Sequence, residues 1–257
     1  MSIPVALSIA GSDPSGGAGV QADLKAFADH AVYGMAVLAA LTAQNTRGVS
    51  GVHPVPPAFI QAQLRDVLDD ISPGAIKIGM LGGRAAIAAV AAGLAGVSAP
   101  IVLDPVMVAT SGAPLLEPEA ERALVTQLVP RATLITPNRP EAARLGLLAD
   151  PDGWARAHGV AVLLKGGHDD EATVTDLLIS PDGARHRVQH PRIDTGDTHG
   201  TGCTLSSAIA ARLARGEDLR EAVVGAVRYV HALIERSAGA GVGAGAGPLL
   251  HGFLGDW

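Results

Sequence analysis

The fold is decided near the N-terminus by residues 3–31, which read IPVALSIAGSDPSGGAGVQADLKAFADHA. This stretch begins with an apolar run, Ile3–Ala10, crosses a glycine-rich turn and continues as Gly19–Ala31. In its last part, apolar residues recur with the spacing of one helical face: Val20, Leu24, Phe27 and Ala31. The stretch therefore predicts a buried strand that leads through a tight loop into an amphipathic helix.

The same alternation of strand and helix continues along the chain. Further strands are predicted at Met35–Ala43, Ala75–Ile78, Ile101–Leu103, Leu134–Ile135 and Val160–Leu164. Further helices are predicted at Pro57–Asp70, Arg84–Ala95, Glu117–Leu128, Pro140–Leu147, Thr204–Ala214 and Leu219–Ser237. Such alternation is typical of right-handed crossovers and a mostly parallel sheet with helices on both faces. Only Thr173–Ile179 and Arg185–His190, which flank a Pro-Asp-Gly turn, are expected to form an antiparallel hairpin.

Composition supports one soluble α/β domain. The 257 residues are 48% hydrophobic, which is enough to bury a large core, and no linker divides them. Apolar runs are interrupted well before the roughly 18 residues that a transmembrane helix needs. The Ala/Gly-rich stretch Ser237–Gly247 is expected to be a flexible loop near the C-terminus.

Charge and cysteine content exclude several functions. A formal net charge of −6 argues against a general nucleic-acid-binding protein, which needs a basic face. The single cysteine cannot form an internal disulfide, and no basic segment precedes the first short apolar run. We therefore expect a cytoplasmic protein that neither binds nucleic acid nor enters a membrane.

Polar or glycine-rich segments follow almost every predicted strand. In an open α/β sheet the carboxyl ends of parallel strands share one edge, and ligands bind in the crevice outside it. The glycine-rich segment 11–19 can approach an anion with its backbone, although it matches neither the P-loop nor the dinucleotide-binding pattern. Taken alone, Asp23 in the helix that follows is expected to face solvent.

The strongest local signal is the segment Thr198–Thr204, because Gly200 and Gly202 allow a turn whose N–H groups converge on an anion. Cys203 would lie in the first turn of the following helix, where the dipole lowers the pKa of a thiol. Most lone cysteines are structural, so packing remains the alternative interpretation of Cys203.

Three further residues suggest a site for nucleotide phosphates. Asp104 ends one strand and Glu141 opens a helix, and Mg²⁺ is commonly held by one or two carboxylates and waters. For Glu141, stabilisation of the helix N-terminus is an equally good explanation. Lys165 ends an apolar strand and needs an anionic partner there, such as a phosphate. His168 and His199 lack the spacing of metal ligands, so no zinc site is predicted.

Seven motifs occur in order along the chain: AGSDPSGGAG (10–19), TAQNT (42–46), KIGML (77–81), LDPVM (103–107), TPNRPEA (136–142), LKGGH (164–168) and THGTGCT (198–204). This series resembles the hydroxymethylpyrimidine/phosphomethylpyrimidine kinases of thiamine biosynthesis, which belong to the ribokinase-like superfamily. The resemblance covers essentially the whole chain. It implies one domain over residues 1–257 with the ribokinase-like three-layer αβα sandwich.

The resemblance also implies an activity and its residues. It implies an ATP- and Mg²⁺-dependent kinase that phosphorylates 4-amino-5-hydroxymethyl-2-methylpyrimidine and then its monophosphate. The expected partners are the pyrimidine substrate, ATP and a second copy in a homodimer. The pyrimidine pocket would be lined by Gly11, Asp23, Gln44, Met80 and Val106. Asp104, Asn138 and Glu141 would organise Mg²⁺, Lys165 would reach the ATP phosphates, and Gly200, Thr201 and Gly202 would form the anion hole. Cys203 would be the catalytic base.

Three other functions are compatible with parts of this pattern. A related pyridoxal- or pyridoxine-type kinase would share the anion hole and the metal residues. A non-catalytic small-molecule sensor would share the fold, although the complete anion-binding turn, Asp104 and Lys165 favour catalysis. A dinucleotide-dependent dehydrogenase would have to bind NAD.

Overall fold

The computed structural model describes residues 3–107, 118–167 and 172–252. Its strands are β1 (Val5–Gly11), β2 (Tyr33–Asn45), β3 (Gly48–Pro54), β4 (Ala75–Ile78), β5 (Ile101–Leu103), β6 (Leu134–Ile135), β7 (Ala161–Leu164), β8 (Thr173–Ile179) and β9 (Arg185–Pro191). They form one sheet in the order β3-β2-β1-β4-β5-β6-β7-β8-β9. Strands β2, β1, β4, β5, β6 and β7 run parallel, whereas β3, β8 and β9 pair antiparallel with their neighbours.

Helices cover both faces of the sheet. They are α1 (Gly19–Asp29), α2 (Pro57–Asp70), α3 (Arg84–Gly93), α4 (Pro118–Ala123), α5 (Arg139–Arg144), α6 (Pro151–His158), α7 (Thr201–Ala214) and α8 (Leu219–Ser237). One apolar core includes Ile60 of α2 and Ile87 of α3, and the other includes Phe27 of α1 and Ile209 of α7. The predicted three-layer α/β architecture is therefore confirmed.

Alternation along the central strands divides their side chains between the two cores. In β5, Ile101 and Leu103 join the core under α2 and α3, while Val102 joins the core under α1, α7 and α8. Successive strand residues point to opposite faces of a sheet, so short runs that are apolar throughout are those covered on both sides. This pattern fixes which face each polar residue of a buried strand must occupy.

The structure differs from the sequence prediction at several elements. Strand β3 and helix α6 were not predicted, and α7 begins at Thr201 instead of Thr204. Of the predicted helix 117–128, residue 117 lies outside the described residues; α4 covers its start, and Leu124–Leu128 continue as a π-helical turn. Among the described residues, no helix combines the length and apolarity needed to cross a bilayer.

Candidate active site

A cavity of about 480 Å³ lies at the carboxyl edge of the parallel strands. The loops after β1, β4, β5, β6 and β7 and the end of β2 converge there with the N-terminus of α7. All but one of the predicted site residues line it: Gly11, Gln44, Met80, Asp104, Val106, Asn138, Glu141, Lys165, Gly200, Thr201, Gly202 and Cys203. The topology therefore brings residues from seven separate segments to one cavity, as the parallel-sheet argument predicts.

Asp23 is the exception, because it faces neither solvent nor the cavity. It is fully buried on α1 and forms an ion pair with Lys77 of β4, with Nζ–O distances of 2.8 Å to both carboxylate oxygens. The expectation that Asp23 faces solvent is wrong, and Asp23 is not among the residues that line the cavity. Burial of a carboxylate requires a partner, and Lys77 is that partner.

The glycine-rich loop after β1 packs directly against the start of α7. Gly200 has a φ of +82°, and a Cβ at this position would collide with the carbonyl oxygen of Gly17. Beside this contact, Asp13 accepts hydrogen bonds from the backbone N–H groups of Ser15 and Ala18, and its Oδ2 lies 2.8 Å from Nε2 of His199. The two anion-binding backbone segments are thus fixed to each other.

The first residues of α7 line the cavity, and the Thr201 N–H donates to the Thr198 carbonyl at 3.3 Å. The helix begins at Thr201 directly after the left-handed Gly200, with no side-chain cap. A Cβ on Gly202 would stand 3.4 Å from Nζ of Lys165 and 3.6 Å from Oδ2 of Asp104. Uncapped N–H groups, the positive end of the helix dipole and a nearby ammonium group together form an anion site.

Lys165 lies between two carboxylates, close to the start of α7. Its Nζ is 3.1 Å from Oδ1 of Asp104 and 3.9 Å from Oε2 of Glu141. Burial alone would lower the pKa of Lys165, but Asp104 and then Glu141 outweigh it and raise that pKa. Burial also raises the pKa of Glu141; Lys165 opposes this shift and Asp104 adds to it. Lys165 is therefore held in its charged form.

Asn138 and Glu141 form a reciprocal capping box at the start of α5. Oδ1 of Asn138 accepts from the Glu141 N–H, and Oε2 of Glu141 accepts from the Asn138 N–H, both at 2.8 Å. Glu141 therefore stabilises the N-terminus of α5 and also lines the cavity. The capping box orients a carboxylate that also faces Lys165.

The acidic residues fit a Mg²⁺ ion that is bound together with phosphates. Among the described residues no three His, Cys, Asp or Glu side chains converge on one metal position. Asp104 takes its shorter contacts, from Thr136 and Lys165, on Oδ1, while Oδ2 faces the open space at Gly202. One or two carboxylates plus waters and phosphate oxygens are the usual shell of Mg²⁺. Asp104 and Glu141 suit such a shell.

Cys203 is partly buried at the third position of α7. Burial raises the pKa of its thiol to about 11, although the ammonium group of Lys77 opposes this shift. The expectation that the helix dipole leaves this thiol with a lowered pKa is therefore wrong, because desolvation dominates. At neutral pH Cys203 is a thiol in the structure described.

Gln44 at the end of β2 and the apolar side chain of Met80 both line the cavity. Nε2 of Gln44 lies 3.5 Å from Nε2 of His199, and its Oε1 accepts from Oγ1 of Thr42 at 3.3 Å. Met80 closes over Gly11, where a Cβ would stand 2.6 Å from the Met80 methyl group. This part of the cavity combines an amide with an apolar side chain, which suits a flat polar ring.

The Ala/Gly-rich segment 239–247 lies beside this same part of the cavity. The Gly245 N–H donates to Oγ1 of Thr46 at 3.2 Å, and the Gly247 carbonyl accepts from the His199 N–H at 3.0 Å. The segment therefore connects the residue after β2 to the residue before Gly200.

Sequence reasoning missed several residues that line the cavity. Lys77 forms part of its floor, and the buried Asp176 accepts from the Gly166 N–H at 2.7 Å and holds the loop that carries Lys165. His190 and His231 contact each other edge to face at the far end, with ring centroids 4.9 Å apart. A lysine inside the apolar run AIKI was the one signal available for Lys77.

The cavity combines a helix N-terminus that suits an anion with a lysine held between two carboxylates. These groups suit the transfer of a phosphoryl group to a small molecule, so they indicate a small-molecule kinase on an α/β fold. Comparison with known proteins narrows this class. The chain belongs to the phosphomethylpyrimidine kinase family, whose model matches residues 13–250.

Individual relatives extend over nearly the whole chain. A hydroxymethylpyrimidine/phosphomethylpyrimidine kinase of Rhizobium meliloti is 48% identical over 96% of this chain and 96% of its own length. The multifunctional thiamine biosynthesis protein ThiED of Corynebacterium glutamicum is 41% identical over 98% of this chain, which spans 34% of that protein. The chain is thus similar both to separate kinases and to one part of a longer protein.

Solved structures include two kinds of kinase. A phosphomethylpyrimidine kinase of Clostridium difficile superposes with a TM-score of 0.77 at 39% identity, covering 90% of this chain and 99% of that one. The ADP complex of Bacillus subtilis pyridoxal kinase superposes with a TM-score of 0.87 at 36% identity, covering 97% and 98%. Overall shape therefore does not separate the two substrates.

Proposed function

We propose that the protein transfers the γ-phosphoryl group of ATP to the hydroxymethyl group of 4-amino-5-hydroxymethyl-2-methylpyrimidine, and then a second one to the resulting monophosphate. The product is the pyrophosphate used in thiamine diphosphate biosynthesis. The observation that carries this proposal is one cavity that is lined by Gln44 and also by Lys165 and the N-terminus of α7. ADP in a solved relative supports ATP as the donor.

In the proposed mechanism, positioning and charge stabilisation do most of the work. The amide of Gln44 pairs with the aminopyrimidine edge, since it offers both a donor and an acceptor. Lys165 and the N–H groups of residues 200–202 stabilise the transferred phosphoryl group. Asp104 and Glu141 would hold Mg²⁺, which would supply neutralising charge for the ATP phosphates.

Cys203 has a different part in each phosphorylation. In the first, its thiolate form takes the hydroxyl proton as the new O–P bond forms and the bond between the β- and γ-phosphates breaks. In the second, the nucleophile is already an anion and needs no base. One site can therefore serve both steps.

An ADP-release assay with the pyrimidine alcohol and its monophosphate as separate substrates tests this function. Turnover with both is expected, and turnover with neither would contradict the proposal. Binding of the pyrimidine without ADP release would indicate a sensor, and binding of NAD would indicate a dehydrogenase.

Pyridoxal is the second candidate substrate, favoured by the TM-score of 0.87 with the pyridoxal kinase. Phosphorylation of pyridoxal and of the pyrimidine alcohol at equal concentration separates the two. We expect the higher kcat/KM with the pyrimidine, because the relative from Rhizobium meliloti and the solved structure from Clostridium difficile are both phosphomethylpyrimidine kinases.

We further propose that the protein is a cytoplasmic homodimer. Leu41 of β2, next to the edge strand β3, is an exposed large apolar side chain. A second copy would cover it. Sedimentation equilibrium should give twice the chain mass, and Leu41→Lys should shift the protein towards the monomer; cell fractionation tests the compartment.

A further inference from the structure

A buried ion pair lies beneath the cavity and has no part in the mechanism described so far. In β4, Ala75 joins the core under α1 and α7, whereas Ile76 and Ile78 join the opposite core. Lys77 therefore faces α1 and α7, since strand residues alternate. Its register partner on β1 is Ser8. Lys77 and Asp23 both have 0% relative exposure.

Asp23 uses both oxygens to hold this arrangement. Besides the two 2.8 Å contacts from Lys77, Oδ2 accepts from Ser8 at 2.6 Å and Oδ1 accepts from Ser207 at 2.7 Å. Strands β1 and β4 and helices α1 and α7 thus meet at one carboxylate. The position of the Lys77 ammonium group is fixed by these contacts.

The same contacts place the pair under Cys203. Cys203 and Ser207 are four residues apart on α7, so they share one face of the helix. Ser207 bonds to Asp23 on that face, and both Lys77 and Cys203 line the cavity. A buried ion pair is often less favourable than apolar residues of the same size, so packing alone does not account for it.

We propose that Lys77, oriented by Asp23, is a positioning residue that stabilises the thiolate form of Cys203. The proposal rests on the proposed function, in which that thiolate accepts the hydroxyl proton of the substrate. The proton passes from the alcohol to Sγ, the oxygen bonds to phosphorus, ADP leaves, and Cys203 returns its proton to solvent. Lys77 itself stays protonated throughout.

The electrostatics of the site agree with this role. Burial raises the pKa of Cys203 to about 11; Lys77 gives the largest opposing effect, and Asp23 gives a smaller one in the direction of burial. The pKa of Lys77 is raised, because Asp23 more than compensates its burial, so it remains a cation. The pair as a whole therefore favours the thiolate.

Alkylation of the protein by iodoacetamide tests the proposal, because Cys203 is the only cysteine in the chain. The rate below the thiol pKa follows the thiolate fraction. Lys77→Met should slow alkylation about tenfold or more, the size expected for loss of a neighbouring opposite charge. The isosteric Asp23→Asn should accelerate it, because the ammonium group loses its counter-charge.

The two variants should change the alkylation rate in opposite directions, which distinguishes an electrostatic effect from a loss of structure around Cys203. A loosened site would react faster in both variants, so alkylation of Lys77→Met at the wild-type rate or faster overturns the proposal. If Lys77→Met does not fold, the double variant Lys77→Met/Asp23→Asn replaces it, because this variant buries no unpaired charge. The double variant should still be alkylated more slowly than wild type. An equal or higher alkylation rate overturns the proposal. Arg220→Met, beyond the far end of α7, removes an exposed cation and should change nothing.

This measurement uses no substrate. A slower Lys77→Met reaction in a protein that fails to phosphorylate the pyrimidine would contradict the proposed function and leave the role of Lys77 intact. The reverse result, normal pyrimidine kinase activity with an unchanged alkylation rate, would contradict the role of Lys77 alone.

Discussion

At the scale of single residues, two lysines in different surroundings are expected to have different roles. Lys25 is exposed and donates to the carbonyl of Gly16, whereas Lys165 lies between Asp104 and Glu141 in the cavity wall. A cation that is already desolvated stabilises developing phosphoryl charge with little reorganisation. The difference between these two lysines makes a direct comparison possible.

Lys165→Ala should lower turnover with both substrates by about 10²–10³-fold, the usual loss for one preorganised stabilising group. The physical reason is that phosphoryl charge grows in the transition state while the cation is missing. Steady-state kinetics at saturating ATP measures this loss. Lys25→Ala is the matched control, and wild-type turnover in Lys165→Ala would make Lys165 a structural residue.

Gln44→Leu should raise KM for the pyrimidine much more than KM for ATP. Leucine leaves the polar ring edge without a partner, a loss of roughly 1–3 kcal/mol. Initial-rate measurements with each substrate varied in turn give both constants. The exposed Gln61→Leu on α2 is the control, and equal damage to both KM values would count against Gln44 as a pyrimidine contact.

Cys203→Ala should lose about 10²–10⁴-fold on the alcohol, the usual contribution of a general base, and less on the monophosphate. The rate of the alcohol step should also depend on pH, because only the thiolate form of Cys203 can accept the proton. Because burial raises the thiol pKa to about 11, the thiolate fraction and the rate of the alcohol step should rise steadily through the alkaline range. Initial rates against pH for each substrate check this.

A plateau near neutral pH in the alcohol step would show that Cys203 is not the base. Full alcohol-kinase activity in Cys203→Ala would reduce this residue to packing. Cys203→Asp provides a further comparison, since it should recover part of the first activity with a profile no longer governed by a thiol.

At the scale of elements, the start of α7 depends on one glycine. A Cβ at Gly200 collides with the backbone of the loop after β1, and its φ of +82° disfavours other residues. Gly216, at the other end of the same helix, also has a positive φ of +87° but has open space around its Cα. The two glycines therefore differ only in what surrounds them.

Gly200→Ala should lower both the melting temperature and turnover, because the loop and the helix must move apart. Gly216→Ala should cost only about 1 kcal/mol, the conformational penalty of a left-handed residue, and should keep its activity. Thermal unfolding and initial rates of both variants measure these effects. Equal losses in the two variants would mean that the contact between loop and helix carries no function.

The elements also show how far the sequence predicts this protein. The bounds of β4, β5, β6, β8, α2 and α8 agree with the prediction, because each is a continuous apolar or strongly amphipathic run. Strand β3, with two glycines and a terminal proline, forms only because β2 offers it an edge. Helix α6 is short, and its Asp150 cap followed by Pro151 was the available signal.

Topology alone predicts only part of the cavity lining. Asp104 and Lys165 end strands, so topology alone brings them to the cavity. Asp23 depends on which face of α1 meets β4, and a single sequence does not specify that packing. The Cys203 pKa depends on the depth of burial, which likewise appears only after tertiary packing.

At the scale of the whole molecule, the Asp13–His199 contact joins segments 186 residues apart. Asp13 organises the loop after β1, while the His199 backbone N–H bonds to Gly247 near the end of the described chain. An early and a late segment of the described residues therefore meet beside the cavity. Assembly of the site is coupled in this way to the folding of both segments.

This coupling should appear in the acid stability of the protein. Burial raises the pKa of Asp13, but hydrogen bonds from His199 and Ser15 outweigh it and lower the pKa to about 2, against about 3.9 in an unfolded chain. A depressed carboxyl pKa adds stability above the unfolded value, and that stability is lost as pH falls through the folded value.

Asp13→Asn should therefore be less stable than wild type at neutral pH, and the gap should narrow as pH falls from about 5 to about 2. Urea unfolding at a series of pH values measures it, with the exposed Asp66→Asn on α2 as control. Loss of one carboxylate oxygen as an acceptor adds a constant penalty, because the amide nitrogen of asparagine cannot accept from the Ser15 or Ala18 N–H. Only protonation of the Asp13 carboxylate makes the difference in unfolding free energy between wild type and variant decrease as pH falls. A difference that stays constant over this range would therefore contradict the role given to Asp13.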